Sequence, residues 1–142
     1  MAGQKISESY CWEIELAGLN ICMASSKKGA VHVGISLHKQ PDAFKYYEDR
    51  FSKGRVTRNK EMNLPLMESI KAVLKGEPAH GELTLDIHCT PFQRITWETV
   101  ALIPFGETRT YGEVSTMIMG RPAAARAVGQ AMYSNPLPLI FP

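Results

Sequence analysis

From Thr108 to Pro142 the sequence leaves the backbone few choices. Thr110-Tyr111-Gly112-Glu113 is a capping-box pattern. The threonine hydroxyl can accept from the Glu113 amide while the Glu113 carboxylate reaches back to the Thr110 amide. A helix is therefore expected from Tyr111, turning Val114 and Met117 inward. Gly120 breaks it, Pro122 suits the first position of a second helix, and Asn135-Pro136 marks a turn. The apolar Leu137–Phe141 stretch then reads as a strand. Two helices joined by a short glycine turn make the helix-turn-helix pattern, which many all-helical domains also contain.

The second helix, from Pro122 to Tyr133, is thin. Ala123, Ala124, Ala125, Ala127, Gly129 and Ala131 carry almost no side chain. Such a helix lets its backbone approach another surface closely, which serves either tight helix packing or entry into a groove. Arg126 stands out from that slim background. Arg109, Arg121 and Arg126 against Glu113 make the stretch mildly basic within a chain of net charge +2. A net charge that small does not imply nucleic acid by itself.

Upstream, Tyr10–Leu16, Leu19–Ser25 and Ala30–Leu37 are β-like runs separated by Ala17-Gly18 and Ser26–Gly29, as hairpin turns would be. Val31, Val33, Ile35 and Leu37 alternate with polar or small residues, so an antiparallel meander with one buried face is expected. Helices are expected over Asp42–Phe51, after Pro41, and over Leu64–Leu74, with Ser52–Lys60 as a basic linker between them. Gly76, Pro78 and Gly81 break the second helix. Leu83, Leu85 and Ile87 then alternate as a further strand. A second capping box, Thr90-Pro91-Phe92-Gln93, opens a helix to about Leu102 that buries Phe92, Ile95 and Val100. The fold class expected is α/β (α+β). A small N-terminal unit of antiparallel sheet plus helices spans 1–88, and a helical unit with the helix-turn-helix spans 89–142.

Composition narrows the class further. A chain of 142 residues that is 44% hydrophobic and 21% charged can bury a core without disulfide or metal staples. Cys11, Cys22 and Cys89 have no CxxC spacing, which argues against a disulfide framework or zinc ribbon and suits a reducing compartment. His32, His38 and His80 show no ligand spacing and read as surface or satisfied core residues. The N-terminus lacks the apolar run of a signal peptide, and no stretch approaches the ~20 apolar residues of a membrane span. A cytoplasmic monomer with no membrane partner is expected, nuclear if the source is a eukaryote.

The run TPFQ…W…IPFGETRTYGEV…GRPAAARAVGQAM…NPLPLIFP, over Thr90–Pro142, resembles the C-terminal domain of O6-methylguanine-DNA methyltransferases, also called methylated-DNA–protein-cysteine methyltransferases. GRPAAARAVG followed by NPLPL is its specific part. Residues before Thr90 share with the family only the order of strands and helices. One extra residue stands between Tyr111 and Gly120, in or beside the first helix.

The resemblance implies a DNA-repair protein whose partner is double-stranded DNA containing O6-alkylguanine. Such a protein flips the base out of the duplex and transfers the alkyl group irreversibly to its own cysteine, without a cofactor. Flipping is a physical requirement, because a protein nucleophile cannot reach the guanine oxygen inside the stack. By resemblance the thin helix enters the minor groove, about 6 Å wide, through Arg121, Ala123, Ala124, Ala125, Ala127 and Gly129. Arg126 matches the arginine that fills the stack left by the flipped nucleotide. Tyr111 matches the catalytic tyrosine that presses on that nucleotide and can donate to the base as charge builds on it. Asn135 matches the residue whose turn orders the acceptor region. Phe141 lines the base pocket, with Pro138 and Pro142 fixing the backbone. Plainer readings stand beside these: a surface salt bridge for Arg126, a packed capping-turn residue for Tyr111, an ordinary turn for Asn135, a buried strand for Leu137–Phe141.

Where this chain ends at Pro142, the family's motif continues Pro-Cys-His-Arg. The acceptor is therefore expected beyond the chain, which is expected to be a shortened form inactive in transfer. The alternative is a non-catalytic alkylguanine-DNA binding protein. Cys11 and Cys22 fall on strands, where cysteine is normally buried. Cys89 follows His88, but adjacent strand residues point to opposite faces, so His88 cannot readily activate it. An ordinary helix-turn-helix regulator is disfavoured by the weak basic character and by NPLPL.

Overall fold

The computed structural model describes residues 5–38, 42–79 and 82–142. The expectations for Pro41, His80 and Gly81 lie outside these. The chain forms two compact units, Met1–His88 and Cys89–Pro142.

In the first unit β1 (Glu8–Leu16), β2 (Leu19–Ser26) and β3 (Gly29–Ser36) form the expected antiparallel meander. Ala17 and Gly18 both have positive φ, 53° and 75°, the two-residue turn whose twist matches that of the flanking strands. The sheet has a fourth member. Residues Arg55–Arg58, inside the expected linker, form β4 and pair in parallel with β1, giving the order β3-β2-β1-β4. The charges at 55 and 58 hide this strand from a periodicity reading. An edge position tolerates them, with only Val56 packed against the core. The strand expected at Leu83–Ile87 is instead a single parallel bridge from Leu85 to Ala30.

The sheet is covered on both faces, not one. Cys22, Ala24 and His32 face α1 (Ala43–Arg50), whose Ala43 and Tyr47 complete a buried cluster with Cys11. Ile21, Met23, Val31 and Val33 alternate with these residues and are buried too, while α2 (Leu64–Leu74) packs against β2 with Leu66, Met67 and Ile70 buried. Leu37, assigned by alternation to the apolar face, lies beyond the end of β3 and is exposed.

The second unit is helical: α3 (Pro91–Ala101), α4 (Tyr111–Met119) and α5 (Ala125–Tyr133). Both capping boxes form, Thr90 with Gln93 and Thr110 with Glu113. Val100, Val114 and Val128 make the core, joined by Phe92, Ile103, Ile118 and Met132. Two expected core residues are not there: Ile95 is 43% exposed and Met117 48%. Trp97, Thr96 and Val100 take the inward stripe of α3, and Val114 and Ser115 that of α4. The helix expected from Pro122 begins as a separate 3-10 turn, Pro122–Ala124, before α5 starts. The Leu137–Phe141 segment is not a strand. The amides of Ile140 and Phe141 both donate to the Leu137 carbonyl, at 3.1 and 2.9 Å, and Leu139 has φ 76°. Leu137, Ile140 and Phe141 are buried, a helical spacing in place of strand alternation.

This mixed architecture, a sheet with helices followed by a helical unit, is the α/β (α+β) class expected from the sequence.

Candidate functional site

The residues singled out by sequence gather on α4, the turn after it and α5. Gly120 closes α4 in the left-handed region at φ 76°, a conformation glycine adopts without steric cost. Ser115, fully buried on α4, then ties the two helices together. Its hydroxyl donates to the Arg121 carbonyl at 2.7 Å and accepts from the Ala124 amide at 3.0 Å. The start of α5 is thereby fixed to α4 by a single side chain.

On the 3-10 turn and α5 the small residues divide between two faces. Val128 and Ala131 are buried against the unit's own core, so close internal packing accounts for Ala131. Ala123, Arg126 and Ala127 are exposed, and Ala124, Ala125 and Gly129 are half-buried. Arg121 is exposed as well. Among the described residues neither Arg121 nor Arg126 has an ion-pair partner. The salt-bridge reading of Arg126 therefore finds no carboxylate to support it.

Tyr111, the first residue of α4, is 53% exposed. Its ring edge lies over Gly129: a Cβ built there would stand 3.0 Å from Cε2 and 3.1 Å from Cδ2. Arg126 precedes Gly129 by three residues, so it occupies the same side of α5. Tyr111 and Arg126 are thus brought to one surface, and neither side chain is engaged in a hydrogen bond among the described residues. The Glu113 carboxyl sits below its ordinary pKa because the Thr110 amide donates to it. An open groove of about 510 Å³ flanks this surface, lined by Arg109, Thr110, Gly112, Glu113, Thr116, Met117 and Pro122. It does not coincide with the expected base pocket, since Tyr111, Asn135 and Phe141 are absent from its lining.

The segment after α5 is closed by Asn135. Its Oδ1 accepts from the Leu137 amide at 2.9 Å and its Nδ2 donates to the Phe141 carbonyl at 2.6 Å, spanning the loop end to end. Phe141 stacks on Trp97 with ring centroids 5.8 Å apart. The indole N–H of Trp97 donates to the Ala131 carbonyl at 2.8 Å. Trp97 thus holds both α5 and the loop. Pro138 is half-buried and Pro142 exposed.

Sequence reasoning missed Ser115, Trp97 and the Gln93–Ser134 hydrogen bond at 3.0 Å. Only Trp97 carried a signal: a tryptophan in an amphipathic helix brings an N–H that must find an acceptor once buried. The two cysteines of the sheet offer no reactive thiol, and Cys89 is half-buried. Cys11 and Cys22 are buried, and burial pushes both thiols up, Cys22 to about 11. Among the described residues no group of three His, Cys, Asp or Glu side chains could hold a metal ion, and no helix is long and apolar enough to cross a membrane.

Residues 91–142 match the family model described as 6-O-methylguanine DNA methyltransferase, DNA binding domain. A methylated-DNA–protein-cysteine methyltransferase of Mycolicibacterium paratuberculosis is 40% identical over 86 residues, 61% of this chain and 52% of the relative. The inducible enzyme of that name from Bacillus subtilis is 29% identical over 123 residues, 87% of this chain and 68% of the relative. The first of these matches, and a Mycobacterium bovis relative matched over 46% of its length, span about half of the relatives' own length. Among solved structures, Mycobacterium tuberculosis O6-methylguanine methyltransferase superposes with a TM-score of 0.69 at 27% identity, covering 94% of this chain and 75% of that one. The same organism's OGT in complex with DNA gives 0.68 at 27% identity, with the same coverage. Residues 91–142 are thus similar to the DNA-binding domain of O6-methylguanine DNA methyltransferases, and the chain as a whole resembles proteins of that name in fold.

Proposed function

We propose that the protein repairs duplex DNA carrying O6-alkylguanine: it flips the damaged base out of the stack and directs its alkyl group to a cysteine of the same polypeptide. The observation that carries this reading is the pairing of a half-exposed Tyr111 with an Arg126 that has no ion-pair partner, on one surface of an alanine-rich helix. Arg121 and the exposed alanines Ala123 and Ala127 bring the helix against the minor groove, with Ala124 and Ala125 keeping it thin. Arg126 enters the stack in place of the extruded nucleotide. Tyr111 bears on that nucleotide. Asn135, Pro138, Phe141 and Pro142 shape the loop beside the base. These proposed contacts need only one copy of the chain, and a monomer is the form proposed to meet DNA.

The transfer is a displacement at carbon. A cysteine thiolate attacks the alkyl carbon, a carbon–sulfur bond forms, and the carbon–oxygen bond breaks with its electron pair left on the guanine. The Tyr111 hydroxyl donates to that developing charge. The thioether has no route back, so each molecule acts once.

None of Cys11, Cys22 and Cys89 is the acceptor in this reading. Two are buried in the sheet unit with raised thiol pKa values, the opposite of what a nucleophilic thiolate needs. The third lies before the capping box of α3, away from the α4–α5 surface in sequence. The three cysteines within residues 1–142 are accordingly expected to take no alkyl group. Incubation with a duplex containing O6-methylguanine, followed by mass spectrometry, tests this. Unmodified protein is expected, and a stoichiometric mass gain on any of the three cysteines would contradict it.

A further inference from the structure

We infer that Gly129 is a positioning residue for Tyr111: the side chain missing from α5 is the seat of the tyrosine ring. This deepens the function proposed above, on which the meaning of Tyr111 rests.

Glycine at the centre of α5 is unfavourable for a helix and calls for a reason. Conformation does not supply one, since Gly129 is not among the glycines with positive φ and sits in regular helix. Space does. A Cβ on Gly129 would meet Cε2 and Cδ2 of Tyr111 at 3.0 and 3.1 Å and Cζ at 3.8 Å. These distances are shorter than ordinary carbon–carbon contact. The open side of Gly129 is therefore filled by Tyr111 and not left for an incoming surface. Because Tyr111 opens α4 next to its capping threonine, its backbone is held by the capping box. The ring's remaining freedom is a swing toward or away from α5, and the void over Gly129 decides it. The hydroxyl consequently stands close to the α5 surface that also carries Arg126. A methyl group at 129 would push the ring outward.

The test is a double-mutant cycle on the full chain with G129A, Y111A and both together. Replacing a helical glycine by alanine should raise Tm by a few degrees where room exists. The expected result is no rise for G129A in the parent chain and a rise on the order of 3 °C when G129A is added to Y111A. An equal rise in both backgrounds would overturn the proposal. A G129A chain that fails to fold but is rescued by Y111A supports it, and one that Y111A does not rescue counts against it. Binding to a duplex containing O6-methylguanine adds a second readout: G129A and Y111A should weaken it by similar factors, and the double variant no further. A further loss in the double variant would assign Gly129 to the DNA surface and overturn the inference. Should the parent chain fail to distinguish that duplex from an undamaged one, the functional reading falls, and the melting cycle still decides the role of Gly129.

Discussion

Ser115 holds Ala124 by its amide and Arg121 by its carbonyl, through one buried hydroxyl 3.0 and 2.7 Å from the two backbone groups. The turn between α4 and α5 has no other side-chain hydrogen bond among the described residues. The orientation of the proposed reading helix therefore depends on a residue that never touches the ligand.

Ser115→Ala should destabilise the second unit by about 1–3 kcal/mol, the cost of leaving a buried donor and acceptor unsatisfied. Urea denaturation followed by helical circular dichroism measures it. A change within a few tenths of a kcal/mol would show that the turn is held by packing alone.

Asn135→Ala should open the loop without unfolding the helices. It removes the acceptor for the Leu137 amide and the donor to the Phe141 carbonyl. Amide hydrogen exchange at Leu137, Ile140 and Phe141 is expected to accelerate, while the core amides of α3 and α4 keep their protection. Unchanged protection across 137–141 would mean that Trp97–Phe141 stacking suffices to close the loop.

The first unit should lose stability in mild acid. His32 is buried beside Tyr46 and Tyr47, its Nδ1 3.1 Å from the Tyr47 hydroxyl. Burial, with a smaller push from the charge of Arg50, lowers its pKa to about 3, against ~6.5 in the unfolded chain. Between those values the unfolded chain binds a proton that the folded one refuses. The stabilising term is thus complete above about pH 6.5 and is lost as pH falls toward 3, amounting to about 2 kcal/mol between pH 7 and pH 5. His32→Gln should flatten that segment of the urea-midpoint profile, and an unaltered slope would remove His32 as its source.

What the sequence disclosed follows from how local each signal is. Both capping boxes, the glycine stop at Gly120 and the two-residue turn at Ala17-Gly18 depend on neighbours within a few positions, and all four form. β4 was hidden because an edge strand tolerates the charges of Arg55 and Arg58, so its pattern looks like a linker. Leu137–Phe141 misled because an apolar run does not by itself distinguish a strand from a folded-back turn. The hydrogen bonds of Asn135 that close the turn connect atoms up to six residues apart. Tyr111, Arg126 and Asn135 are proposed as site residues through family resemblance. Ser115 and Gly129 act through space on the opposite helix, and nothing in their sequence neighbourhoods announces it.

The central claim is that the α4–α5 surface recognises an alkylated guanine through Arg126. It is tested most directly by the affinities of the parent chain and Arg126→Ala for two duplexes, identical except for one O6-methylguanine, at fixed salt. The parent is expected to favour the damaged duplex. Arg126→Ala should lose roughly ten- to hundredfold in affinity for it, about 1–3 kcal/mol, and with that most of the preference. Equal affinity of parent and variant for the damaged duplex would contradict the account.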